Sequence, residues 1–146
     1  MRAALAPANN RASSLYGVGA MSTQVCVIRS SDFLRARADG EVDLEMGKSL
    51  LAAVAEAAKP LQQYEVLIDI RDAVGRLSAD EVCELAGSLI QFRQTFLHKT
   101  AVLCPRERFD SARFFSLLAA SHGFGRIRAF LSFEDAMEWL MSADPD

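Results

Sequence analysis

Two short runs, YEVLIDI (residues 64–70) and KTAVLC (residues 99–104), are apolar at almost every position instead of at alternate ones. A strand with one wet face alternates apolar and polar residues, so a near-continuous apolar run marks a strand covered on both faces. Covering both faces takes a layer on each side of the sheet, and the segment between the two runs has helical periodicity. A strand, a helix and a second strand joined in this way pair in parallel through a right-handed crossover. These constraints select the α/β class.

The remaining segments extend the pattern. VCVI (25–28) is a short apolar run, and FLRARA (33–38) alternates Leu34, Ala36 and Ala38 with Phe33, Arg35 and Arg37, as an antiparallel pair near a sheet edge would. Leu44, Gly47, Leu50, Leu51, Val54 and Ala58 fall at helical spacing, with Asp43 as N-cap and Pro60 as the stop. From Ser78 to Leu97, Val82, Leu85, Ala86, Leu89, Ile90, Phe96 and Leu97 share one stripe, which predicts the longest helix of the chain. RFDSARFFSLLAASHG (108–123) predicts a helix closed by Gly123, RIRAF (126–130) a strand, and SFEDAMEWLM (132–141) a helix begun by Ser132. The order is ββαβαβαβα: a five-stranded, mainly parallel sheet with flanking helices. The all-apolar strands belong at its centre, and FLRARA and RIRAF, with their alternate arginines, at its margins.

Residues 1–20 stand apart. They hold no acid and no sustained periodicity, and Pro7, Asn9 and Asn10 break the apolar stretch that a signal peptide needs. A disordered tail, or a start that precedes a true one at Met21, is expected there, with residues 21–146 as a single domain. The net charge is −3, and Arg2 and Arg11 are the only charges in that first segment, so the remainder is more acidic still. Such a balance argues against a nucleic-acid partner, which needs phosphate neutralisation. No apolar run approaches the ~18 residues of a membrane span. Cys26, Cys83 and Cys104 are odd in number and far apart, which implies neither a disulfide framework nor a metal site, and fits a reducing cytoplasm.

Few residues carry chemistry. Ser78 followed by Glu81 has the spacing of a capping box, in which each side chain bonds the other residue's backbone N–H. His98 and His122 sit near helix C-termini, where an imidazole interacts favourably with the helix dipole, and neither belongs to an acid, base or metal cluster. Cys104 follows an apolar strand and is expected to be a core residue. The densest polar grouping follows the two apolar strands: Arg71, Asp72 and Arg76 after the first, and Arg106, Glu107 and Arg108 after the second. Parallel strands bring both groups to the carboxyl edge, where open α/β sheets bind ligands, and helix N-termini there offer N–H donors. The expected working surface is therefore Arg71, Asp72, Arg76, Arg106 and Arg108, with no catalytic residue, metal or cofactor implied.

The stretches YEVLIDIRD and KTAVLCPRERFDSARFFSLLAASHGFGRIRAFLSFEDAMEWL resemble the SpoIIAA-like (STAS-like) superfamily, especially a small bacterial branch. Its characteristic ending is matched by Ile127, Arg128, Ala129 and Phe130, then Glu134, Asp135, Ala136, Met137, Glu138, Trp139 and Leu140. The resemblance covers roughly residues 24 to 141 and implies a sheet flanked by helices, related in fold to CRAL-TRIO lipid-binding domains. The best-known members are anti-sigma-factor antagonists, switched by phosphorylation of a serine in an Asp-Ser-Ser-Gly-like motif at a helix start. By element count Ser78 is the matching phosphorylation candidate, although the preceding Asp and following Gly are absent here.

Two functional readings follow. The resemblance implies a non-enzymatic regulatory module with a protein partner, in which a homodimer is also admissible. The alternative is a domain for a small-molecule, anionic or lipid ligand, favoured by Phe109, Phe114 and Phe115 on one predicted helix. A filled, flat surface with an exposed apolar patch would support the first, and an apolar cavity between sheet and helices the second.

Overall fold

The computed structural model describes residues 24–30 and 33–143, and the expected tail at residues 1–20 lies outside them. Strands β1 (Gln24–Ser30) and β2 (Phe33–Glu41) form an antiparallel pair, with Gln24 opposite Asp39 and Ser30 opposite Phe33. Helix α1 (Leu44–Ala58) follows, begun by Asp43, whose carboxylate accepts from the Met46 N–H at 2.8 Å. Next come β3 (Glu65–Asp69), the short β4 (Ala73–Val74) and α2 (Ala79–Gly87). A 3-10 stretch, Ser88–Phe92, leads into the single turn α3 (Arg93–Phe96), then β5 (Thr100–Leu103). A second 3-10 turn, Arg106–Arg108, opens α4 (Phe109–Ser121), and β6 (Ile127–Phe130) and α5 (Phe133–Met141) complete the order.

The sheet runs β1-β2-β3-β5-β6, parallel throughout except for the first pair, with β4 continuing alongside the end of β2. This is the α/β arrangement expected from the periodicity. The apolar strands β3 and β5 each have a neighbour on both sides. Their side chains alternate between two cores: Val66, Ile68 and Val102 join the cluster under α1, α2 and α4, while Leu67, Ala101 and Leu103 join Ala136 and Leu140 of α5. A strand buried on both faces has no polar side, which is why neither run alternates in the sequence.

Two expectations require correction. FLRARA does not lie at the margin: β2 sits one strand inboard, with β1 outside it, and only β6 matches the expected edge position. The arginines mark an open face, not an open edge. Leu34, Ala36 and Ala38 are buried against the α1 side, and Arg35 and Arg37 project from the other side, which α5 covers only in part. The long helix from Ser78 to Leu97 is also interrupted. The Ser88 hydroxyl donates to the Leu85 carbonyl at 2.7 Å, and a 3-10 stretch replaces regular turns just after Gly87-Ser88, a pair prone to kinking. The break leaves Leu89 and Phe96 fully buried but turns Ile90 outward, 59% exposed.

Gly123 closes α4 as the sequence predicts. At φ +96° it lets the Phe124 N–H reach the Ala119 carbonyl at 2.9 Å and its own N–H reach Ala120 at 3.0 Å, and Phe124 then enters the core. A side chain at such a φ costs about 1 kcal/mol or more. Gly123→Ala should therefore lower the urea midpoint by an amount equivalent to about 1 kcal/mol, with an unchanged slope. An unaltered midpoint would show that the turn does not need this backbone conformation.

Candidate functional site

The site begins where β3 leaves the sheet. After Asp69 the chain bulges at residues 70–72, the Ala73 N–H donates back to the Ile70 carbonyl at 3.2 Å, and the strand resumes as β4 beside β2. The chain then turns sharply at Gly75, φ +100°, where a Cβ would lie 3.1 Å from the Val42 carbonyl oxygen, so glycine is required there. This path leaves carbonyl groups of the bulge without sheet partners.

Arg108 takes them. Its guanidinium, carried by the 3-10 turn after β5, donates to the carbonyls of Ile70 at 2.8 Å, Gly75 at 3.1 Å and Ala73. The residue is only 8% exposed, and its Nε is a buried donor without a partner among the described residues. Among the described residues no carboxylate pairs with it. Burial pulls the guanidinium below its ordinary pKa, against the opposing charge of Glu107. An arginine nevertheless keeps its proton in a protein, so a cation stands here with neutral oxygens for company.

Beside it is a cavity of about 120 Å³ between the sheet and the three helices that cover this face. Ile68 and Val102 of the sheet line its floor, and Leu50 of α1, Leu85 of α2 and Phe115 of α4 its sides. Among the described residues, Arg76, Arg108 and Ser111 are the polar ones that line it, and no acidic residue does. Arg76 is exposed, marks the open side, and has no ion-pair partner among the described residues.

The expected surface is thus divided. Arg71 and Asp72 lie on the opposite face of the sheet, already engaged. Asp69, 4% exposed, accepts from the Arg71 backbone N–H and Nε at 3.1 Å each and from Nη2 at 3.0 Å, with Arg35 at 3.5 Å. Asp72 pairs with Arg37. Arg106 is exposed at the carboxyl end of β5 without an ion pair among the described residues, and Arg108 is turned inward instead of lying at the surface.

Ser78 forms the capping box: the Glu81 N–H donates to Ser78 Oγ at 3.1 Å, and the Ser78 N–H to Glu81 Oε1 at 2.8 Å. His98 stacks on Tyr64 at 4.0 Å, with Nδ1 3.0 Å from the Gln94 carbonyl, and His122 is the C-cap of α4. Cys104 is buried, and burial pushes its thiol up to about 11, so it is no nucleophile at neutral pH. No metal-holding group of three or more His, Cys, Asp or Glu occurs among the described residues. No helix of theirs is long and apolar enough to cross a membrane.

The sequence reading overlooked Asp69 and Lys99. An aspartate inside YEVLIDI, with an arginine two residues later, was the available signal for the first. Buried Lys99 donates from Nζ to the Trp139 and Ser142 carbonyls at 2.8 and 2.7 Å, holding the C-terminal end of α5 where the helix dipole favours a cation.

No family model matches the chain, and no curated protein matches it. Among solved structures it is similar to an uncharacterised protein of the DUF3478 family with a SpoIIAA-like fold from Shewanella loihica PV-4. The identity is 20% and the TM-score 0.47, over 82% of this chain and 94% of that one.

Burial alone would raise the Asp69 pKa, but the hydrogen bonds from Arg71 and the charges of Arg71 and Arg35 hold it below the usual carboxylate value. A carboxylate whose pKa is lower in the folded than in the unfolded chain contributes stability that is complete above about pH 4 and is lost as the pH falls through the folded value. Asp69→Asn should therefore cost about 1–3 kcal/mol at neutral pH. The gap to the unaltered protein should narrow on acidification below about pH 4. Denaturant titrations at several pH values check this, and a gap independent of pH would contradict the ion-pair account.

Proposed function

We propose that the protein is a non-enzymatic binding module that takes a small, largely apolar molecule at the carboxyl end of its parallel strands. The observation that carries this reading is the cavity between the sheet and α1, α2 and α4, lined almost wholly by apolar side chains and bordered by exposed Arg76. Its place at the carboxyl ends of β3 and β5 is where open α/β sheets receive ligands. About 120 Å³ is close to the ~150 Å³ of an engineered cavity that accommodates benzene, so the occupant is the size of one ring or a short acyl chain. Among the described residues the wall holds no His, Cys, Asp, Glu or Lys to move a proton near neutral pH, which suits binding over turnover.

The position of the cavity supports a regulatory role. Its open side shares the carboxyl end with Arg106 and with Val74, which is 57% exposed, so occupancy can be read by a partner touching that surface. The free thiols of Cys83 and Cys104 fit a cytoplasmic setting. A second reading, a protein-docking surface used without any ligand, draws on Arg76 and Arg106, which lack ion pairs among the described residues.

Saturation with benzene should raise the thermal midpoint, because a ligand that binds only the folded state stabilises it by mass action. Ala112→Phe, which directs a ring into the cavity from α4, should fold and lose that response. No stabilisation of the unaltered protein, or the same shift in the variant, would remove the cavity from the account and leave the docking surface.

A further inference from the structure

The charges around the cavity do not balance. Asp69, buried on the other face, is matched by Arg71 and Arg35, and Lys99 is set against the carbonyl end of α5. Arg108 is buried too, yet its partners are three neutral carbonyl oxygens, and its Nε–H has none among the described residues. A buried charge without a counter-charge is among the costliest features a fold can carry, and proteins almost always pair or coordinate such groups. Arg76 is a second arginine bordering the same cavity, again without an ion pair among the described residues. Among the described residues the wall contains no acid that could answer either cation, while Ser111 adds a hydroxyl.

We infer that the occupant of the cavity is a small apolar monoanion, a molecule with one carboxylate head and a hydrocarbon body, for which Arg108 and Arg76 supply the missing positive charge. The inference rests on the cavity reading above and adds the chemistry of the ligand to it. Cations and neutral molecules leave the two arginines without a counter-charge among the described residues, whereas one anion answers both. A carboxylate matches the planar fork of the Arg76 guanidinium, which makes no ion pair among the described residues, and is stronger at it than a neutral acceptor. Polyanions fit poorly. A cavity of about 120 Å³ with apolar sides has neither the room nor the donors to replace the hydration of a nucleotide or a phosphate dianion. The apolar lining from α1, α2 and α4 demands a body that gains by leaving water, either a short aliphatic chain or an aromatic ring.

Calorimetric titration near neutral pH with hexanoate and benzoate, each against its neutral counterpart, hexan-1-ol and benzyl alcohol, separates charge from shape. The acids should bind at least about tenfold more tightly than the matched alcohols. That preference should vanish in Arg108→Met and shrink severalfold in Arg76→Gln. The second variant keeps the test valid if Arg108→Met fails to fold, since Arg76 is exposed and makes no ion pair among the described residues. Ala112→Phe should abolish binding of both acids. Hexanoate favoured over benzoate assigns an acyl body, and the reverse an aryl one. Alcohols binding as tightly as the acids would overturn the monoanion inference and leave the cavity reading intact. Failure of all four probes would overturn both. A preference for acids unchanged in both arginine variants would place the anion elsewhere and overturn the inference.

Discussion

The guanidinium of Arg108 holds three backbone carbonyls that the sheet has released, and the architecture of the carboxyl end depends on that clasp. Without the bulge at residues 70–72, β3 and β4 would be one strand, and the connection to α2 would start elsewhere. With it, Arg71 and Asp72 are directed to the α5 face, where Asp69 and Arg37 receive them, and Gly75 to Leu77 pass beside the cavity. Backbone carbonyls left unpaired in an interior are costly, and a rigid fork of N–H donors can satisfy several at once, which an ammonium group does less well. The clasp solves the hydrogen-bonding problem of the bulge and leaves a charge problem in its place.

The two faces of the sheet handle burial differently. On the α5 side a small apolar cluster is flanked by ion pairs, and the one buried carboxylate is fully matched. On the other side the larger core stops short of filling its own volume. A space of about 120 Å³, open on one side, separates the apolar side chains of the sheet from those of the helices there. Filling it would take only a larger side chain at a position such as Ala112, so the space is consistent with a second occupant and not with a lack of suitable residues.

Much of this was legible in the sequence because burial imposes a period. The apolar runs of β3 and β5, the caps at Asp43, Ser78 and Ser132, and the glycine after α4 all act within a few residues of themselves, and all appear where the periodicity implied. The failures share a different cause. FLRARA has the alternation of a half-open strand, but periodicity cannot distinguish an edge strand from an inner strand whose second face is uncovered. Ser78 to Leu97 has a helical stripe throughout, yet the break at Gly87-Ser88 is decided by one hydroxyl bond and by where Leu89 and Phe96 must pack. Arg108 read as one more surface charge because its partners are carbonyls 33 to 38 residues away, and carbonyls carry no mark in a sequence.

Arg108 is a buried cation with no counter-ion among the described residues, and an anion held in the cavity would change the surroundings of its Nε–H. The most direct measurement follows that proton itself, through the arginine Nε–H signal in a proton–nitrogen correlation spectrum assigned with an Arg108→Lys comparison. The expected result is a signal protected from exchange in the free protein, which moves downfield and becomes better protected when hexanoate is added, while the matched alcohol leaves it in place. A signal that exchanges as fast as that of an exposed arginine, or that does not respond while hexanoate demonstrably occupies the cavity, would contradict it.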